Sequence, residues 1–253
     1  MKKSAKISLG VFVFLLVVVL SLYLLLNTGK QVDITWSEED FDSGLTKSKI
    51  DIGSIEELNL ETLARGNFST QGRNSIDDSF TSEEMSALVS MANDSGGPIR
   101  DVKVSFGDNG QGEISFRLSD NFTQFLREQN VLAGLGTKIA RADEGRVGEP
   151  LDRSLTDVVV DYIANVANKK PVYATGELSR ASDNSVNIRM DSLTVGRAPL
   201  TRGVIDRVEF ETARIVNSII SPENGFHIEE LQVRDGALFY KGDLPAEIEG
   251  EGL

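Results

Sequence analysis

The chain has 253 residues, 40% of them hydrophobic, with no cysteine, one histidine and a formal net charge of −13. This composition excludes thiol chemistry, a disulfide framework and a histidine metal cluster, and its sign makes nucleic acid the least favoured partner. Lys2, Lys3 and Lys6 are the only charges before Asn27, so residues 27–253 carry −16 and must be stabilised by an ordinary hydrophobic core.

From Ile7 to Leu26 the sequence is apolar and uncharged. At ~1.5 Å rise per residue such a run crosses a ~30 Å hydrocarbon layer, which predicts a transmembrane helix. The lysines before it and the acids Glu38, Glu39, Asp40 and Asp42 after it orient the N-terminus to the cytoplasm and the rest outside. A cleaved signal peptide is the competing reading, but the run is long and no Ala-x-Ala-like pair follows it. The expected order is a tip and anchor over 1–26, an acidic juxtamembrane stalk over 27–49, an extracytoplasmic domain over 50–245 and a frayed acidic tail over 246–253. Trp36, the only tryptophan, falls in the stalk and is expected to dock on the domain, because its acidic neighbours disfavour headgroups.

Within the domain, Thr81 and Glu84 form a capping-box pair and Phe80 can staple Met85, which predicts a helix from about Ser82 to Asn93 with Met85, Leu88, Val89 and Ala92 on its buried stripe. Alternating apolar residues then predict a hairpin, Ile99 to Phe106 and Ile114 to Leu118, turning through residues 107–113. That turn resembles part of a calcium loop but lacks the ligand spacing, so a plain turn is the better reading. A helix from Leu151 to Asn168 should lead into strands at 172–180 and 185–195, and a helix from Thr201 to Ile220 into strands at 226–234 and 237–242. Segments 50–75 and 120–150 read ambiguously, although Phe122, Phe125 and Leu126 suggest a short amphipathic helix.

One phrase recurs at Ile99–Val104, Met190–Val195 and Ile228–Val233, with a weaker copy at Ile55–Leu60. Each has apolar residues at its first, fourth and sixth positions, so the face parity slips by one, as at a β-bulge.

Chemistry is not announced. His227 is flanked by Phe226 and Ile228 in strand context and reads as a sheet-surface residue; there is no Gly-x-Ser-x-Gly elbow to meet it. Gly134-Leu-Gly136 lacks the rest of a dinucleotide fingerprint. The carboxylate pairs Asp77–Asp78, Glu83–Glu84, Asp143–Glu144 and Glu229–Glu230 come without the aromatic platform a glycosidase commonly uses. The sequons at Asn67, Asn93 and Asn121 matter only in a glycosylating secretory pathway.

The N-terminal anchor, the acidic stalk, Phe-Thr-Ser-Glu-Glu-Met-Ser-Ala-Leu-Val from Phe80 and its hairpin, the run Ser192 to Leu200 entering a long helix, and the run Ile228 to Gly242 together resemble the YpmS-like group of membrane-anchored bacterial envelope proteins. The resemblance covers about Phe80 to Gly242; residues Asn121 to Lys169 are longer than that pattern. It implies a half-barrel similar to tubular lipid-binding proteins, with acyl chains between a long helix and a curved sheet, and it supplies no catalytic residue.

The expected fold is therefore α+β: a curved, bulged antiparallel sheet wrapped around long helices and preceded by one transmembrane helix. The expected function is a non-enzymatic, single-pass envelope protein of the cell membrane that binds a lipid or other apolar ligand between the 201–220 helix and the sheet. Val204, Val208, Ile215, Ile188 and Leu238 are the expected lining, with no cofactor, no metal and no nucleic-acid partner. The alternative is a scaffold ectodomain with a filled core that binds another envelope protein.

Overall fold

The computed structural model describes residues 29–251 except 55, 56, 95, 109, 123 and 126–169. Ile7 to Leu26, the 151–168 helix, Gly134-Leu-Gly136 and Asp143–Glu144 lie outside the described residues. Among the described residues no helix is long and apolar enough to cross a membrane.

The described chain runs α1 (Glu38–Ser48), β1 (Asp51–Ile52), α2 (Leu60–Arg65), β2 (Phe68–Gln71), β3 (Asn74–Thr81), α3 (Ser82–Asp94), β4 (Ile99–Phe106), β5 (Gln111–Leu118), β6 (Pro171–Ser182), β7 (Ser185–Val195), β8 (Ala198–Pro199), α4 (Arg202–Ile219), β9 (His227–Arg234), β10 (Ala237–Leu244) and β11 (Glu247–Gly250). The class is α+β, with mostly antiparallel sheets that curve without closing. The main sheet has the order β3-β10-β9-β6-β5-β4, with β7 and β8 beyond β6; a small sheet pairs β1, β11 and β2.

The long β6–β7 hairpin joins two halves of the main sheet. The first part of β6 pairs with β5 from Pro171 to Glu177, and further along Ser179 pairs with Gln232 of β9. Each half has its own core. Ile76, Phe80, Val186, Ile228, Val233 and Leu238 pack in one, and Ile99, Val102, Leu118, Val172, Ala174, Leu193 and Ile205 in the other.

The junction of β3 and α3 follows the capping box. Thr81 Oγ1 accepts from Glu84 N–H at 3.2 Å, and Thr81 N–H donates to Glu84 Oε2 at 2.9 Å. Phe80 is buried and Met85 packs on the same cluster, as a staple requires. Replacing Thr81 by Ala should lower the unfolding free energy by about 1 kcal/mol, read as a lower urea midpoint at unchanged slope. An unmoved midpoint would show that the hydroxyl does not hold the helix start.

The serines of α3 have a role that its apolar stripe does not convey. Ser82 Oγ accepts from Phe106 N–H at 2.9 Å; Ser86 Oγ accepts from Val104 N–H at 2.8 Å; Ser90 Oγ donates to the Val102 carbonyl at 2.7 Å. Four helix residues rise ~6 Å and two strand residues ~6.8 Å, so hydroxyls at every fourth position keep step with alternate peptides of β4. The helix thereby satisfies an edge strand that would otherwise invite pairing.

All three copies of the recurring phrase are bulged. The register slips between Arg100 and Lys103 on β4, past Asp191 on β7 and past Glu229 on β9. Two of the bulges face a glycine, Gly176 or Gly242, in the partner strand. The described part of the fourth phrase, 57–60, is no strand: Asn59 instead caps α2, its Oδ1 accepting from Glu61 and Thr62 N–H at 3.0 and 3.1 Å.

Two expectations need correction. The described part of the stalk, residues 29–49, is built into the domain. Residues 29–36 form a strap across β6, β5 and β4, where Val32 is 3% exposed and its N–H donates to Ser115 Oγ at 3.0 Å. Lys30 bonds the Tyr173 hydroxyl, lies 4.3 Å above its ring and 3.3 Å from Glu113. Ser37 and Asp40 then close a capping box that opens α1. α1 packs on α3, with Gly44 against Leu88. Of the acids that read as stalk, Glu38, Glu39 and Asp40 form the first turn of this helix, where they complement its dipole. The tail is likewise not frayed over 247–250, because β11 pairs parallel with β1 and antiparallel with β2.

Candidate functional site

The longest described helix, α4, is fixed to the edge of the sheet by polar groups as well as by apolar contacts. On β7, Val186 is bonded twice by Asn217, its N–H donating to Oδ1 at 2.8 Å and its carbonyl accepting from Nδ2 at 3.1 Å. Met190 N–H donates to Glu209 Oε2 at 2.7 Å, and its carbonyl accepts from Arg202 Nη1 at 2.7 Å. At Val186 and Met190 the outer edge of β7 is thus satisfied by side chains of α4, as β4 is by the serines of α3.

Between these anchors the apolar face of α4 is only partly covered. Of its 18 residues only Ile205 and Glu211 are buried. Ile205 joins the β4–β7 core with Val208 packed beside it, while Val216 packs on the β3–β10 core. Val204 is 36% exposed and Phe210 59%. Buried Glu211 is held by Arg207 at 2.5 Å and Arg214 at 2.9 Å.

The five expected lining residues are divided by this arrangement. Leu238 is buried in the β3–β10 core with Ile188 packed on it. Val208 belongs to the other core, Ile215 is half-buried on α4, and Val204 faces solvent. Sequence reading missed the anchoring set Arg202, Glu209 and Asn217. Its one available signal was the polar pair Asn217–Ser218 between Ile215–Val216 and Ile219–Ile220.

A concavity of about 270 Å³ lies under the strap and is lined by Gln31, Trp36, Ser90, Asp94, Asp101, Lys103 and Arg117. Trp36 therefore docks on the domain as its acidic context implied. Asp101, with φ 51°, donates its N–H to Asp94 Oδ1 at 3.2 Å and places its carboxylate 3.2 Å from Arg117 Nε. Desolvation raises the Asp94 carboxyl above its ordinary range, outweighing the Asp101 N–H. The Ser90 hydroxyl is committed to Val102, which leaves it no base to act with.

His227 opens β9 half-buried, and its carbonyl accepts from the Tyr240 hydroxyl at 3.0 Å, a strand position as expected. The 107–113 segment is a hairpin turn, with Gly110 N–H donating to the Val233 carbonyl at 3.0 Å. Among the described residues no group of three or more His, Cys, Asp or Glu side chains could hold a metal ion. No family model matches the chain, and neither a curated protein nor a solved structure matches it.

Proposed function

We propose that this chain is a non-enzymatic, single-pass envelope protein, anchored through Ile7 to Leu26 with its domain outside, that accommodates a lipid or other apolar ligand between α4 and the curved sheet of β6, β7, β9 and β10. The observation that carries the reading is the incomplete burial of α4: an amphipathic helix fixed by Asn217, Glu209 and Arg202 leaves Val204 exposed and Val208 and Ile215, on the same face, only half-buried. A helix held by polar anchors can admit an acyl chain without losing its place. The intact chain is expected to fractionate with membranes, its C-terminal domain digestible by protease added outside intact cells. A soluble, N-terminally trimmed product would overturn the anchor.

The ligand reading is tested on one variant by two measurements. Val208→Gln should reduce the lipid recovered per mole of purified protein more than it lowers the urea midpoint. In a filled core the order reverses, because burying an unpaired amide costs about 1–3 kcal/mol and there is no ligand to lose. Lipid-free wild-type protein together with a strongly destabilised variant would leave the scaffold reading in its place.

A further inference from the structure

The apolar run ends at Leu26, and three positions later Gly29 is already locked into the domain. A Cβ on Gly29 would lie 2.5 Å from the Gly196 carbonyl oxygen and 2.7 Å from Pro171, so the backbone there is in close contact with the turn after β7 and the start of β6. Only Asn27 and Thr28 separate the run from this contact. At ~3.3–3.6 Å per residue the link from Leu26 to Gly29 spans at most ~11 Å. From this we infer that the domain does not stand away from the bilayer: the end of the sheet formed by the Gly196–Arg197 turn, β8 and the first turn of α4 rests against the lipid headgroups.

The chemistry of that end fits the assignment, which rests on the anchored reading above. Against a domain of net charge −16, this end presents Lys170, Arg197 and Arg202, with Arg197 and Arg202 exposed. Arg202 pairs with Asp206 at 2.7 Å, whereas Arg197 and Lys170 have no ion-pair partner among the described residues. A surface held within ~11 Å of the bilayer lies about one Debye length from it at physiological salt, so unpaired cations there are attracted by anionic headgroups while more distant acids are screened. The same end carries exposed Val204 in the first turns of α4, so the apolar surface proposed above opens toward its own source of lipid.

The chain has no native cysteine, so single-cysteine variants of the full-length protein report position directly. Ala198→Cys, exposed in β8, and Ala181→Cys, exposed near the far end of β6, are labelled with a donor dye and reconstituted in vesicles carrying a headgroup-linked acceptor. Ala198 lies level with Val172 through Val195, and the nine steps from Val172 to Ala181 place these labels roughly 30 Å apart along the sheet, at ~3.3 Å per residue. Energy transfer at residue 198 should exceed that at residue 181 several-fold. Inserting about twenty Gly/Ser residues between Asn27 and Thr28, a coil of ~25 Å, should abolish most of the difference. Equal or inverted transfer in protein that floats with the vesicles would overturn the orientation and leave the anchor standing. An unchanged difference after the insertion would show that the short link does not set the surface. Protein that fails to float with vesicles would overturn the anchor and the orientation together.

Discussion

Replacing Gly242 by Ala should lower the unfolding free energy by about 3–5 kcal/mol. Gly242 sits opposite the β9 bulge at φ 146°, a conformation that L residues rarely adopt. A Cβ there would lie 2.0 Å from the His227 carbonyl oxygen and 3.1 Å from Glu229 N, both backbone atoms that cannot step aside without opening the β9–β10 ladder. That carbonyl also accepts from Tyr240, whose hydroxyl lies 2.8 Å from the Asp243 carbonyl and whose pKa burial pushes upward. Gly66 provides the control: it also has positive φ, 73°, but nothing lies within 4 Å of its Cβ position. Gly66→Ala should therefore cost only about 1 kcal/mol, the backbone term alone. Urea midpoints for the two variants at equal slope decide the matter, and comparable losses would show that the bulge is not what requires glycine.

Glu84→Ala should cost about 2–4 kcal/mol near neutral pH, and Glu84→Gln less. The Glu84 side chain is 5% exposed and ties three elements together. Besides the Thr81 cap it accepts from Ser43 Oγ at 2.6 Å and from Lys47 Nζ at 2.8 Å, so one carboxylate fastens α1 to α3 and to the end of β3. Lys47 is a quarter exposed and bonds the Ser79 carbonyl at 2.8 Å, which lets it recover some hydration once the acid is gone. That keeps the expected loss below that of a fully buried pair. Burial pushes the Glu84 carboxyl upward, but the bonds from Lys47, Ser43 and Thr81 outweigh it and hold the group below its ordinary range. A depressed carboxyl contributes stability that is fully present above the unfolded-state pKa, about 4.3, and is lost as pH falls through the folded value. The difference between wild type and Glu84→Gln should accordingly shrink as the pH is taken from 7 into the acid range below that of an ordinary glutamate. Taking the difference cancels the other acids of this chain. A gap that stays constant with pH would show that the amide replaces the carboxylate in all but charge and that the charge contributes nothing.

What the sequence determined by itself was local. Thr81 and Glu84 are three residues apart, and their reciprocal bonds close within one helical turn. The alternation of Ile99 to Phe106 and Ile114 to Leu118 names its own partner across a short turn. The recurring phrase marks the bulges through a parity slip that any strand containing it must express. These features need no knowledge of distant chain. The expected lining residues were selected by periodicity alone, and periodicity shows which residues share a face of α4 without showing what covers that face. Val208 and Leu238 accordingly fell to different cores.

Tertiary structure decided the rest, because the partners lie far apart in the chain. Residues 29–36 have no helical or strand periodicity, and they read as a stalk because their contacts, Ser115, Tyr173 and Gly196, are each more than eighty residues away. The serines of α3 look like ordinary polar positions until β4 lies beside them, and Asn217 looks like a fault in an apolar stripe until the bare edge of β7 needs both a donor and an acceptor. Residues 247–250 look like an acidic tail until β1 and β2 flank them. A lone segment cannot satisfy its peptide groups within itself unless it is a helix, so where strands, straps and edges find their hydrogen bonds is settled only when the whole chain has folded.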